Sequence, residues 1–382
     1  MINILHLDTE GGWGGSSISL FHIIKNLNKE KFKSTVVCRK QGPILKKYKK
    51  INVEASMVES LYSFSAKPKI NNLKLFLTTL PELLFIFRGF FKIQKIIKLK
   101  KIDLIHFNFE GFFLLGLILR FFTKIPVVVH YRSTIPNDSI AHKIISNIIV
   151  KYLADLVIFI SKTEKKKFVK IYPNLSKYKF ETIYNISDNK VLKSNRNYFS
   201  KNLIFVGNIS YHKGVDRLLE IAKLLKDKSL KIKIYGQTRG EHKFEKSLIK
   251  TIKENKLTNL KIMGRTNKAE KIIQNAFAIL RPSRWNDPWG RDILDAFNAG
   301  VPCISTGQLN DLIINKKNGF YVENFEKKKV IKIINKLKSD KNYYFKLKLN
   351  IINTQKKMLD KNKNIKKIEK AFLKCSKKKI TF

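Results

Sequence analysis

Cysteine is scarce in this chain of 382 residues: Cys38, Cys303 and Cys375 stand far apart, with no CxxC pair. That spacing excludes a disulfide framework and a thiolate zinc site, and it fits a reducing compartment. Acids are also few, 29 Asp and Glu against 77 Lys and Arg. No His, Asp and Glu cluster has metal-ligand spacing, so no metal and no cofactor is expected. Long apolar runs are missing as well. The opening MINILHLDTEGG has neither a basic n-region nor an extended apolar core, and it reads as a first strand rather than a leader. Residues 112–122, FFLLGLILRFF, are too short and too Arg-interrupted to span a bilayer. A cytoplasmic protein is expected.

What is present bounds the class. Hydrophobic content of 44% with 11% aromatics excludes a disordered chain, and the length fits two domains of roughly 180 residues. The net charge of +48 raises a nucleic-acid function. Against it, the excess is lysine spread along the whole chain with abundant Asn, Ile and Phe, as AT-rich codon usage produces. Clustered Arg with stacking aromatics is not evident, so no nucleic-acid partner is expected. An anionic membrane surface matches part of the charge better. Residues 75–101, LFLTTLPELLFIFRGFFKIQKIIKLKK, join Leu, Phe and Ile runs to a basic end, as interfacial helices do. Two amphipathic helices packed on a sheet give the same pattern, and the two roles are compatible.

Short β-branched runs alternate with longer helical patterns, which predicts parallel α/β structure. Candidate strands are Ile2–Leu7, Lys33–Cys38, Leu104–Phe107, Val127–His130, Leu156–Ile160 and Phe180–Tyr184. A second series comprises Leu203–Val206, Leu230–Tyr235, Leu260–Met263, Ala278–Leu280, Cys303–Ser305 and Gly319–Val322. The expected layout is a first domain over 1–186, a polar linker over 187–202 and a second domain over 203–354. A terminal helix over 355–382 is expected to cross back to the first domain. Two doubly wound domains should hold ligands at the carboxyl ends of their strands, facing a cleft.

Several residues could carry chemistry there. Asp287 and Asp295 flank a Pro288-Trp289-Gly290 turn and the start of an apolar helix. An ionised Asp only accepts hydrogen bonds, and sugars and riboses offer vicinal hydroxyl donors. Asp295 interrupts an apolar stripe, where a carboxylate is costly unless a ligand or cation meets it. The loop Glu10-Gly11-Gly12-Trp13-Gly14-Gly15-Ser16-Ser17 joins the first strand to a helix, and its glycines let backbone amides approach a phosphate. As a dinucleotide fingerprint it is poor, since Ser17 stands at the third glycine position and Arg39 ends the second strand. A tight loop needing only a flexible backbone explains it equally. His130 ends an apolar strand and is placed to meet a sugar hydroxyl, although a lone histidine is more often structural; His106 is placed alike and reads as supporting. In the second half, Gly207-Asn208 and Lys213-Gly214 follow the first strand, and Lys213 suits a diphosphate.

In order along the chain, these positions resemble the retaining GT-B glycosyltransferases of family 4. The signposts are the 11–15 loop, His130, Ala154-Asp155 with Ser161, Tyr184-Asn185 with Asp188, and Gly207 with Lys213-Gly214. Pro282-Ser283, Asp287-x7-Asp295, Gly300-x-Pro302 and Asn318-Gly319 complete them. The resemblance implies two Rossmann-like domains facing across a cleft and a nucleoside-diphosphate-sugar donor, UDP- or GDP-linked. It implies Asp287 on donor-sugar hydroxyls, Asp295 on the ribose and Lys213 on the diphosphate. Gly14 and Gly15 would lie beside that diphosphate, and His130 near the sugar's C6 hydroxyl and the acceptor. Gly207, Asn208, Pro288, Trp289 and Gly290 complete the donor-binding set, with His130, Lys213 and Asp287 as the catalytic set.

Three departures stand out. Both acids are Asp where the family has Glu; Asn208 replaces an arginine of the diphosphate site, with Arg265, Arg284 or Arg291 as candidate substitutes; and Leu309-Asn310-Asp311 replaces the usual Pro-Glu. The expected reaction is sugar transfer to a hydroxyl with retention, in envelope polysaccharide, lipopolysaccharide or glycolipid synthesis. A sugar or lipid-linked acceptor and a peripheral position on the inner membrane face go with it. A non-catalytic scaffold of the same fold and a nucleotide-sugar epimerase are the alternatives.

Overall fold

Strands that are apolar at every position must be covered on both faces, which parallel sheets with flanking helices provide. The computed structural model describes residues 1–9, 11–12, 14–63, 72–132, 140–188, 196–227, 229–238, 240–284, 290–307 and 311–377, the side chains of 72–84, 140, 141 and 196 excepted. It divides into two compact units, 1–186 with 361–382, and 187–360. Part of the expected linker, 189–195, lies outside the described residues.

The first unit holds β1 (Ile2–Asp8), β2 (Phe32–Cys38), β3 (Glu54–Met57), β4 (Leu104–Phe107), β5 (Val127–Tyr131), β6 (Leu156–Phe159) and β7 (Phe180–Thr182). They form one sheet in the order β3-β2-β1-β4-β5-β6-β7, every described pairing parallel. The edge strand β3 was not expected. Its sequence, EASM, is largely exposed and lacks the apolar run that marks a buried strand.

Side chains alternate between the two faces of this sheet. Leu5, Leu7, Ile105, Phe107, Val127 and Val129 join a core with helices Asn72–Lys100 and Phe113–Thr123. Ile4, Leu104, Val128 and Ile158 join a second core, closed by Ile365, Ile368, Ala371, Phe372 and Cys375 of helix Lys361–Ser376. Glu369 of that helix accepts from the Asn28 amide at 2.8 Å. The stretch immediately before it belongs to a separate helix, Lys341–Met358, in the second unit.

The second unit holds β8 (Asn202–Val206), β9 (Lys231–Tyr235), β10 (Leu260–Gly264), β11 (Ala278–Arg281), β12 (Cys303–Thr306) and β13 (Phe320–Val322). The sheet runs β10-β9-β8-β11-β12-β13, again parallel. Both sheets reverse their strand order beside the first strand of the unit, the crevice-forming point of doubly wound folds.

Candidate active site

In the first unit the glycine loop divides by role. Gly11 and Gly12 have φ of +58° and +94°. A Cβ on Gly11 would lie 2.2 Å from the Lys40 carbonyl oxygen, and one on Gly12 2.7 Å from Ile44 Cβ. These two glycines are required by packing against the segment 40–44. Gly14, with φ −121° and ψ 163°, is the N-cap of helix Gly15–Asn26, and no side chain caps that end. Gly14 and Gly15 thus leave amides of the first turn available, as phosphate recognition needs. Glu10 and Trp13 lie outside the described residues.

Behind this loop lies a polar network that sequence patterns did not single out. Asp8 ends β1 at 1% exposure. It accepts from Ser17 Oγ and, at 2.9 Å, from Asn108 Nδ2. Arg132 Nε donates to Asn108 Oδ1 at 2.6 Å, and its Nη1 donates to Asn185 Oδ1 at 2.7 Å. Burial raises the Asp8 pKa, while Ser17, Asn108, Arg132 and the Thr9 amide pull it down. Buried polar groups need such partners, and this set ties the carboxyl ends of β1, β4 and β5 to the glycine loop. The signal lay in the alternation of IleAsnIleLeuHisLeuAsp, where Asp8 falls on the same face as Ile4 and His6.

His130 is 1% exposed and does not stand alone. Its Nδ1 lies 2.8 Å from His106 Nε2, and His106 Nδ1 lies 2.9 Å from His6 Nδ1. Burial is the main cause lowering the pKa of all three, that of His6 to about 3. The nitrogens face one another rather than a common point. Among the described residues no group of three or more His, Cys, Asp or Glu could hold a metal ion.

In the second unit, Lys213 is half-buried in the turn before helix Arg217–Leu224. The next residue, Gly214, has φ +66°, and a Cβ there would meet the Pro282 oxygen at 1.9 Å. Arg217 Nη1 holds the same segment through the carbonyls of Pro282 and Ser283, at 2.9 and 3.1 Å. Arg284 grips Asp216 through two hydrogen bonds of 2.7 and 2.6 Å and stacks 3.9 Å above the Tyr211 ring. The turn carrying Lys213 is therefore clamped onto the segment after β11. Gly207 donates from its amide to the Tyr235 carbonyl at 3.0 Å, and Asn208 beside it is exposed.

Helix Arg291–Ala299 follows. Gly290 caps it with extended backbone, and a Cβ there would lie 2.5 Å from Asp292 Oδ1. Its lack of a side chain makes room for Asp292, which accepts from Arg281 Nε at 2.5 Å. Asp295 is 5% exposed. The cation expected beside it is Arg291, whose Nη2 stands 3.7 Å from the carboxylate and 3.6 Å from Glu270. Burial pushes the Asp295 pKa up to about 7, opposed by Arg291 and reinforced by Glu270 and Asp292. Of the arginines considered as substitutes at Asn208, Arg284 and Arg291 are each paired with carboxylates. Asp287, Pro288, Trp289, Leu309 and Asn310 lie outside the described residues.

On the helices of the first unit, Ile86, Phe90, Ile93 and Ile97 turn inward. The opposite surface exposes Phe87, Phe91, Phe121 and Phe122, with Phe90 and Phe122 rings 5.2 Å apart. Arg88, Lys92 and Lys95 are exposed beside them. Among the described residues no helix is long and apolar enough to cross a membrane.

Comparison with known proteins accords with this architecture. The family model described as Glycosyltransferase Family 4 matches residues 13–189, and Glycosyl transferases group 1 matches 187–358. An uncharacterised 42.6 kDa protein in the cps region of Klebsiella pneumoniae is 24% identical over 176 residues, 45% of this chain and 44% of that relative. Its match spans less than half of that protein. Among solved structures, Anabaena HepE with UDP-glucose superposes with a TM-score of 0.79 at 19% identity, over 98% of this chain and 100% of that one. TarM of S. aureus gives 0.76 at 14% identity, over 97% and 100%. The lipopolysaccharide outer core galactosyltransferase WaaB gives 0.66 at 18%, over 98% and 99%. With a glycosyltransferase model on each half and the two-sheet architecture shared throughout, the chain belongs to the glycosyltransferases of the GT-B fold.

Proposed function

We propose that the protein transfers a sugar from a nucleoside-diphosphate sugar to a hydroxyl acceptor, with retention at the anomeric carbon and without a divalent metal. The observation that carries this is that one unit, the second, holds both Lys213 on a glycine-pinned turn and the buried carboxylate Asp295. The ammonium matches a diphosphate, and the carboxylate accepts from the ribose hydroxyls. Leaving-group charge dominates the barrier, and Lys213 with loop amides stabilises it as it develops. The acceptor oxygen bonds to the anomeric carbon on the face that the diphosphate leaves, and a departing phosphate oxygen takes the acceptor's proton. Asp287 and His130 orient sugar hydroxyls.

Structures of HepE with UDP-glucose favour a UDP-sugar donor, and GDP-sugars are the next choice. The cps-region relative and WaaB favour envelope polysaccharide or lipopolysaccharide as the product. The exposed phenylalanines, flanked by Arg88, Lys92 and Lys95, suit a lipid-linked acceptor at an anionic membrane surface. Incubation of the pure protein with UDP- and GDP-sugars, with and without lipid-linked acceptors, tests the proposal. Acceptor-dependent nucleotide release is expected, and Lys213→Ala should slow it by roughly two orders of magnitude or more. Isomerised donor without acceptor would identify an epimerase, and donor binding without turnover a scaffold.

A further inference from the structure

Residues of even number on β1, β4 and β5 share one face of the first sheet and form three successive groups, with β5 offset so that His106 is in register with Val128 and meets His130 diagonally. Ile4, Leu104 and Val128 lie in the apolar core. His6, His106 and His130 follow, each at most 1% exposed, with Phe372 of the covering helix 6.1 Å from the His6 ring and 5.4 Å from that of His106. Asp8, Asn108 and Arg132 end the face at the strands' carboxyl ends. The imidazole row begins at Ser34 on β2, whose Oγ is 3.1 Å from His6 Nε2. It ends at His130 Nε2, for which no partner is found among the described residues.

A neutral imidazole has one N–H and one lone pair. His106 uses both nitrogens, so its two nitrogen–nitrogen bonds must carry their protons in the same sense. Burial keeps all three rings neutral. Arg132, two residues beyond His130 on the same face, disfavours added positive charge on His130 and His106; such a cation favours protons displaced away from it, towards Ser34.

We propose that Ser34, His6, His106 and His130 form one tautomeric chain. His130 Nδ1–H donates to His106 Nε2, His106 Nδ1–H to His6 Nδ1, and His6 Nε2–H to Ser34 Oγ. His6 and His106 are positioning residues that leave His130 Nε2 as a bare acceptor for a hydroxyl donor. The catalytic consequence rests on His130 being the sugar contact; the tautomer does not.

The test is 15N NMR of the full chain labelled at its seven histidines. In the wild type, His130 should carry its proton on Nδ1, opposite to the preference of free histidine. In His6→Phe, His106 Nδ1 loses its acceptor, so the His106 proton moves to Nε2 and His130 flips to the Nε2–H form. An Nε2–H His130 in the wild type, or a tautomer unmoved by His6→Phe, overturns the chain. The wild-type spectrum decides even if that variant does not fold. With UDP-glucose as donor, the flip should lower kcat about tenfold, as a barrier rise of about 1.4 kcal/mol does, with thermal stabilisation by UDP unchanged. Unchanged turnover alongside a flipped tautomer would remove His130 from sugar contact and leave the chain standing.

Discussion

Replacing Asp295 by Asn should stabilise the protein at alkaline pH while weakening its hold on nucleotide. Burial, partly offset by Arg291, pushes this carboxyl from 3.8 up to about 7. The unfolded chain releases the proton near the ordinary value, whereas the folded chain keeps it to about 7. Between the two the folded state binds more protons, so stability present below about 4 is lost as pH rises through about 7. That gap corresponds to about 4 kcal/mol. Applied to a unit of this size, it is about 10 °C in Tm. Asn resembles the protonated acid and does not titrate. Thermal unfolding of the wild type and Asp295→Asn at pH 5 and pH 8 should therefore show a difference that widens with pH in the variant's favour. UDP binding at pH 8 should move the other way, falling about tenfold, because an amide cannot accept from two ribose hydroxyls as a carboxylate does. Parallel Tm profiles across this range would refute the reasoning, since they would mean that Arg291 already compensates the buried charge in full.

Gly214→Ala should destabilise the second unit by about 2–4 kcal/mol in urea unfolding, since it combines a left-handed backbone with a methyl set against the Pro282 carbonyl. Unchanged unfolding would show that the 282–284 segment yields easily. The double substitution Phe91→Ser with Phe121→Ser removes two rings that are already largely exposed, so Tm should fall only a little while co-sedimentation with phosphatidylglycerol vesicles falls at least about tenfold; equal sedimentation would remove this face from membrane contact. Asp8→Leu deletes the acceptor shared by Ser17 and Asn108 and should cost about 2–4 kcal/mol, read by denaturant midpoint.

Both parallel sheets were legible in sequence because most of their strands are short β-branched or apolar stretches, continuous as in Val127–Tyr131 or alternating as in Lys231–Tyr235, set between longer helical patterns. The edge strand β3 was not, because half-solvated EASM carries no such signal. Lys213, Gly214 and Asp295 stand out in the sequence because glycine and charge interrupt apolar periodicity, and the structure packs Gly214 against Pro282 and buries Asp295. The packing roles of the glycines were not legible. Gly11, Gly12 and Gly290 answer to backbone and side-chain crowding, a property of neighbours distant or hidden in sequence. The pairing of Arg284 with Asp216 and of Arg291 with Glu270 was likewise invisible, since those partners lie 68 and 21 positions away; the contact of Arg291 with Asp295 is one between helical i,i+4 neighbours.

Sequence by itself determined the α/β class, the two-sheet plan and the ordered series of glycine, lysine and acid, since each depends on local periodicity or on a residue type unusual in its context. Tertiary structure alone decided what surrounds them. It brought His6, His106 and His130 from three strands into one hydrogen-bonded row, linked Asp8 to Arg132 through Asn108, and set Arg284 on Asp216 across 68 positions. A parallel sheet places residues about a hundred positions apart within a hydrogen bond of each other, and spacing along the chain carries no record of that register.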